Sequence, residues 1–292
     1  MITTGLKSSP PTGKRSGKPF LSLLGAGALI AYLAWEVYFS TGLLGCFSAL
    51  QFDSFGQSLP VLNLTAVLVL LGTAEFGRRR RRVYRATRAA TQQVRTLALA
   101  DDFASTLRDF RWFLITLALA VLLLVVGMTL AATPVRVVPP HWPAARLDAT
   151  MMVGTPRNEL ASSLADDLLT TRQQRFFVPL IEPAAPRHIG YFIEVRPAPK
   201  WDGLTPPRAD LSRPLMKVFA PRPGFVEPLY ARSGYRVLPM NGVLTAEPWG
   251  LARPQMITAA YLLILALMSW AAQWFQAGHR QNLARRLEPN AA

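Results

Sequence analysis

The chain holds one cysteine, Cys46, in 292 residues. That excludes an internal disulfide framework and any zinc site built on paired thiolates. Histidine is almost as scarce. His141, His188 and His279 are the three, and none has partners at metal-ligand spacing. None falls inside a long apolar run, so haem held between spanning histidines is excluded too. A glycine-rich phosphate loop, a nucleophile elbow and a defensible Ser-His-Asp arrangement are all missing. Paired acids occur at Asp166-Asp167, but neighbours in sequence point to different faces of a helix, which suits solvated surface better than acid/base work. No internal repeat is visible. The expectation is a non-enzymatic protein without metal or cofactor.

Negative charge is also in short supply: 17 Asp and Glu stand against 32 Lys and Arg, a net charge of +15. Such a balance fits nucleic acid when the cations cluster on a folded face. Here their position decides otherwise, because the apolar residues gather in four blocks and the arginines sit between them. Arg far outnumbers Lys and Ala is abundant, a bias associated with GC-rich bacterial genes.

Crossing about 30 Å of hydrocarbon takes about 20 apolar residues in a helix. The first block runs from Phe20 to about Phe39 and contains Glu36 near one end. The second, Leu59 to Phe76, opens with Pro60, which a first helical turn tolerates. The third, Trp112 to Ala132, has no charge in 21 residues. The fourth, Met256 to Phe275, carries Trp270 and Trp274 near one end and Tyr261 near the other, aromatics that favour an interface. These blocks predict four transmembrane helices.

Positive charge in short loops stays cytoplasmic. Residues 1–19 hold Lys7, Lys14, Arg15 and Lys18 and no acid, whereas the link from Thr41 to Ser58 has no Lys or Arg. The next link opens with Arg78-Arg79-Arg80-Arg81-Arg82, and the tail after the fourth block carries Arg280, Arg285 and Arg286. The alternation predicts a multi-pass protein of the bacterial inner membrane with both ends in the cytoplasm. The five-arginine run then lies against anionic headgroups at about 1 kcal/mol per charge, and nucleic acid is not expected as a partner.

The division of the chain follows. Residues 1–19 form a basic cytoplasmic start, and 20–76 hold spans one and two with a short periplasmic link. Residues 77–111 form an Arg-rich cytoplasmic hairpin, with helical spacing of Val83, Ala90, Val94, Leu97, Phe103, Leu107 and Phe110 and a turn expected near Ala100-Asp101-Asp102. Span three is 112–132, a periplasmic domain fills 133–255, span four is 256–275, and 276–292 is a cytoplasmic tail. Of the 24 prolines, 19 lie in the periplasmic segment. Pro134, Pro139, Pro140 and Pro143 predict a stiff extended exit from span three. Thr155-Pro156 and the steps of four between Leu160, Leu164 and Leu168 predict a helix to Arg175. Strands are expected at Phe176–Ile181, Ile189–Arg196, Leu215–Ala220 and Tyr235–Thr245, with Pro-Gly and Ser-Gly turn signals beside the last two. The fold class expected is an integral membrane α-helical protein with a small α+β extracytoplasmic domain between helices three and four.

With no chemistry to assign, the reading is a structural or accessory component of an inner-membrane assembly, such as a secretion or conjugation apparatus. It would contact other membrane or periplasmic proteins through the outer domain, as a homo- or hetero-oligomer. Candidate partner-contact anchors are Trp201, Phe225, Tyr230 and Trp249, with Phe219 and Tyr235 beside them, because aromatics supply binding area at low entropy cost. Most of this set is expected to be core. Three alternatives use the same layout: a signal transducer, a transport subunit using the intramembrane acid Glu36, and an immunity protein against a membrane- or periplasm-acting toxin. Leu43-Leu44-Gly45-Cys46 loosely resembles a lipoprotein cleavage box, but the apolar stretch before it exceeds the 7–15 residues of a signal peptide. The expected outcome of intact-mass measurement on the purified protein is a chain that retains Met1, with Cys46 unlipidated.

Overall fold

The structure, a computed structural model, describes residues 19–39, 42–55, 60–88, 92–165, 174–196, 208–219 and 230–287. Five helices are built from the apolar blocks and their flanks: α1 (Pro19–Phe39), α2 (Leu43–Phe55), α3 (Pro60–Ala86), α4 (Gln92–Leu130) and α5 (Arg253–Leu287). Four stretches are long and apolar enough to cross a membrane: Gly25–Ser48, which takes in the corner between α1 and α2, then Val61–Ala86, Val94–Leu130 and Arg253–Gly278.

The bundle is assembled around α4, which packs along α5 and also meets α1 and α3. Its inward stripe is Leu114, Leu117, Ala118, Val121 and Val125, all fully buried, at the three- and four-residue steps that keep one helix face in register. On α5 the facing stripe is Gln255, Ala259, Leu262, Ala266 and Ser269. Small residues at Ala259 and Ala266 let the two backbones approach closely. Leu33 and Ala34 of α1 and Leu64 and Leu68 of α3 complete this core. The opposite faces are apolar as well. Leu119, Leu123 and Leu130 of α4 and Ile264, Leu267 and Met268 of α5 are more than half exposed, far beyond the scattered apolar residues of an ordinary soluble surface.

The turn between α3 and α4 is not near Ala100-Asp101-Asp102 as the spacing predicts. It falls after Ala86, at Thr87 and Arg88, and α4 runs unbroken through 100–102 for 39 residues. No helix breaker occurs at 100–102, and the Asp102 carbonyl accepts the hydroxyls of Ser105 and Thr106, as an interior helical position does. Leu97, Phe103, Leu107 and Phe110 thus belong to one helix, pinned to α3 by an edge-on contact of Phe103 with Phe76 at 5.5 Å.

The segment between α4 and α5 is a mixed sheet of β1 (Thr133–Val138), β2 (Met151–Val153), β3 (Thr155–Pro156), β4 (Ser162–Ala165), β5 (Gln174–Ile181), β6 (His188–Val195), β7 (Leu215–Val218) and β8 (Arg236–Thr245). The order is β2-β1-β7-β8-β6-β5-β3, with β4 also on β5. The pairs β1–β2 and β6–β8 are parallel and the others antiparallel. Both faces are covered. One holds Phe177, Phe192, Val218 and Val243 with Leu251; the other holds Phe176, Val178, Leu180, Ile193 and Leu244. The four expected strands are β5 to β8.

Two expectations for this segment are corrected. The helix from Thr155 is absent over its described part. Residues 155–165 form β3, a 3-10 turn at Asn158–Leu160 and β4, while 166–173, with Asp166 and Asp167, lie outside the described residues. A step of four keeps to one face of a helix and equally to one face of a strand, whose period is two; Leu160 and Ala161 go to opposite sheet faces. Nor is there a stiff tether after α4. The helix ends at Leu130, and by Thr133 the chain is already paired with β7.

Proline cannot donate to a ladder, so it belongs at edges and interruptions. Pro134 pairs with β7 below the point where β2 begins, leaving its other side unpaired. Pro179 falls in the gap on β5 between the residues paired to β4 and those paired to β3. Pro239 sits where the β6–β8 register jumps from Ile189↔Val237 to Tyr191↔Gly242. Gly154, between β2 and β3, is required by packing: a Cβ there would lie 2.7 Å from Cγ of the fully buried Leu180. Replacing Gly154 with Val is expected to cost about 1–3 kcal/mol by overpacking and to lower the thermal midpoint in detergent. The change Gly278→Ala, inside α5 where a Cβ meets nothing within 4 Å, should not lower the midpoint, since alanine favours a helix over glycine.

Candidate functional site

Glu36 lies in the last turn of α1 and is only 2% exposed. Its Oε2 accepts the backbone N–H of Leu44 at 3.0 Å. The carboxyl is pressed against the bare Cα of Gly42, where a Cβ would stand 1.7 Å from Oε1. The first N–H groups of a helix lack intrahelical acceptors and attract negative charge. Glu36 supplies an acceptor to α2, folding the link back onto α1. The same corner is held by Asn63 of α3, whose Nδ2 donates to Gln51 Oε1 at 3.1 Å and Ser48 Oγ at 3.4 Å. The acid of the first apolar block is therefore engaged in a local cap. One turn beyond Gly42, Cys46 is exposed on α2.

Two residues on, Tyr38 is 1% exposed, and its hydroxyl donates to the Phe219 carbonyl at 3.2 Å. This bond clasps α1 to the sheet just past β7. Beside it the Lys217 ammonium lies 4.8 Å from the Tyr191 ring centre and 3.0 Å from its hydroxyl. No local pattern signals this junction, since Tyr38 and Phe219 are 181 residues apart.

At the opposite end of the bundle the five arginines have different surroundings. Arg79 is locked between helices: Nε meets Glu75 at 2.8 Å, and Nη2 meets Asp109 of α4 at 2.8 Å. Arg78 pairs with Glu75 at 2.6 Å. Arg80 lies over Tyr84, 5.4 Å from its ring centre. Arg81 and Arg82 are exposed, and no ion pair reaches them among the described residues. Arg78, Arg81 and Arg82 line, with Arg85, a hollow of about 480 Å³ on one side of α3.

The outer-domain aromatics separate in the same way. Tyr230 is not a partner contact: it is 2% exposed, packs at 5.5 Å on Phe192 and donates its hydroxyl to the Leu160 carbonyl at 2.7 Å. Burial with a satisfied hydroxyl makes it core. Trp249 is half exposed, on the one-turn helix Pro248–Leu251 leading into α5, and Phe219 is 45% exposed. Tyr235 packs against the sheet core from a half-buried position. Trp201 and Phe225 lie outside the described residues. Away from the spans, Asp148 and Asp210 have carboxyls pulled below the ordinary value by the hydroxyl and amide of Thr150 and Ser212 respectively; both are surface turns. Among the described residues no three His, Cys, Asp or Glu side chains gather as metal ligands.

The cap predicts an ordering of variants. Glu36→Ala should lower the thermal midpoint in detergent by the equivalent of about 1–2 kcal/mol. Glu36→Gln, which keeps an acceptor oxygen, should lose less than half of that. Equal losses from the two would remove the cap. Compared with protein-family models, with curated proteins and with solved structures, the chain finds no match in any of the three.

Proposed function

We propose that the chain is a non-enzymatic scaffold of a bacterial inner-membrane assembly. Four spans anchor it, both ends are cytoplasmic, and the sheet domain outside presents a surface to partner proteins. The observation that carries this reading is the join between bundle and sheet. Two residues separate α4 from β1, and one helical turn separates the end of β8 region from α5. The Tyr38–Phe219 bond adds a third attachment. A domain held at three points keeps a fixed pose over the bilayer, as a docking platform requires. The apolar outward faces of α4 and α5 support insertion, because hydrocarbon is the surrounding in which they cost nothing. The flank arginines support the orientation. Trp249 and Phe219, exposed at the join, are the aromatic contacts this reading uses.

A second reading, signal transduction, is favoured by one feature: α4 runs as a single helix from the Arg-rich turn to the sheet. A rigid element joining two compartments can relay a displacement. It would show as ligand-dependent protease protection of the α3–α4 turn.

The expected result for a reporter active only outside the cytoplasm is no signal when fused after Arg95 and a strong signal when fused after Ala185, in the β5–β6 turn. The reverse pattern would overturn the orientation. In mild detergent the protein should be recovered with other envelope proteins or as a multimer. Recovery as a bare monomer would remove the scaffold reading.

A further inference from the structure

A second hollow, of about 790 Å³, lies at the arginine-bearing end of the bundle between α1, α3 and α4. Its walls include Leu29, Leu71, Phe103, Leu107, Phe110 and Phe113, so it is chiefly hydrocarbon. It adjoins the smaller hollow described above: Thr73, Ala74 and Arg78 line both. Glycine keeps the space open. A Cβ on Gly25 would meet nothing within 4 Å, and one on Gly72 would meet only Cε2 of Phe110, at 3.9 Å.

The charged groups around the mouth compensate one another only in part. Glu75 is taken by Arg78 and Arg79, and Asp109 by Arg79. Arg81, Arg82 and Arg85 are left without a carboxylate among the described residues. Positions 78, 81, 82 and 85 share one helix face, where like charges at steps of three and four repel. An anion seated among them relieves that repulsion, and guanidinium forks match phosphate oxygens in particular. An apolar channel that opens onto a phosphate-matching stripe asks for a ligand with both parts.

We propose that this composite groove binds one anionic phospholipid, its acyl chain in the hollow between α1, α3 and α4 and its phosphate on Arg78, Arg81, Arg82 and Arg85. The proposal rests on the membrane reading above, which supplies the lipid and puts the stripe at headgroup level.

The test uses the full-length protein, purified in mild detergent, delipidated and offered phosphatidylglycerol or phosphatidylcholine, with retained lipid counted by native mass spectrometry. Phosphatidylglycerol should be retained about tenfold or more over phosphatidylcholine, given the attraction of each arginine for anionic headgroups. The triple variant Arg81→Gln, Arg82→Gln, Arg85→Gln should lose most of that preference. Gly72→Leu, which fills the hollow, should reduce retention of phosphatidylglycerol without altering the charge; Gly25→Leu serves the same end if the first variant folds poorly. Equal retention of the two lipids by the unaltered protein, or an unchanged preference in the triple variant, would overturn the site. Displacement of phosphatidylglycerol by millimolar inorganic phosphate alone would overturn the acyl half and leave an anion site only. Failure of the membrane reading is told apart by solubility: a chain that stays monodisperse without detergent sinks both, whereas loss of lipid preference in a detergent-dependent protein sinks the lipid site alone.

Discussion

Helix α4 is the element on which the rest depends. At 39 residues and 1.5 Å per residue it is about 58 Å long, nearly twice a hydrocarbon core. Its fully buried stripe takes α5 on one side and α1 and α3 on others, and β1 starts two residues beyond its end. A helix satisfies its own backbone hydrogen bonds along its whole length, so it can be apolar on every face without leaving a peptide group bare. That property allows α4 to serve as an inward core and an outward apolar surface at once. Leu123 at 73% and Leu130 at 75% exposure lie on the helix that is also the centre of the bundle.

The few polar side chains within the bundle follow from the same constraint. Three of them pair across helices: Thr65 with Tyr261 at 2.9 Å, Ser269 with the Leu107 carbonyl at 3.0 Å, and Gln273 with Arg111 at 3.2 Å. These bonds tie α3 to α5 and α4 to α5 at different depths. They fix the rotation of each helix where Leu, Ala and Val alone would allow sliding, which is how sparse polar contacts set register between apolar helices.

What the sequence made legible was whatever depends on composition over a long window. The apolar blocks appear as α1, α3, α4 and α5, and the runs at 176–181, 189–196, 215–220 and 235–245 appear as β5 to β8. What it concealed depends on a coincidence of period or on contact at long range. Leu160 and Leu164 suited helix and strand equally, and pairing with β5 decided between them. The spacing from Val83 to Phe110 fits two arms with a turn near Ala100-Asp101-Asp102, but nothing there breaks a helix, and α4 runs through it. The candidate site was legible only in part. Arg78 to Arg82 were visible as a block, but their separation into a locked Arg79 and an unpaired Arg81 and Arg82 needs the position of Asp109, thirty residues on. Glu36 was visible as an acid in a span; that it caps α2 was not, because a helix had not been expected in that link.

The two ends of the bundle are built from opposite materials, and the proposed orientation draws on that contrast. At the Glu36 end a carboxylate is consumed within the fold, one hydrogen bond clasps α1 to the sheet, and the link between α1 and α3 carries no Lys or Arg. At the Arg79 end two acids are spent on two arginines, and the remaining guanidiniums stay charged and exposed. Moving the first end through hydrocarbon means desolvating groups already paired to one another. Moving the second means stripping several bare cations of water, at about 2.5–3.5 kcal/mol each even on the most lenient scale. On the proposed reading, the arginine end is the one that stays where the chain is made. The ion pairs Arg79–Glu75 and Arg79–Asp109 sharpen the difference, since they engage two carboxylates beside the stripe.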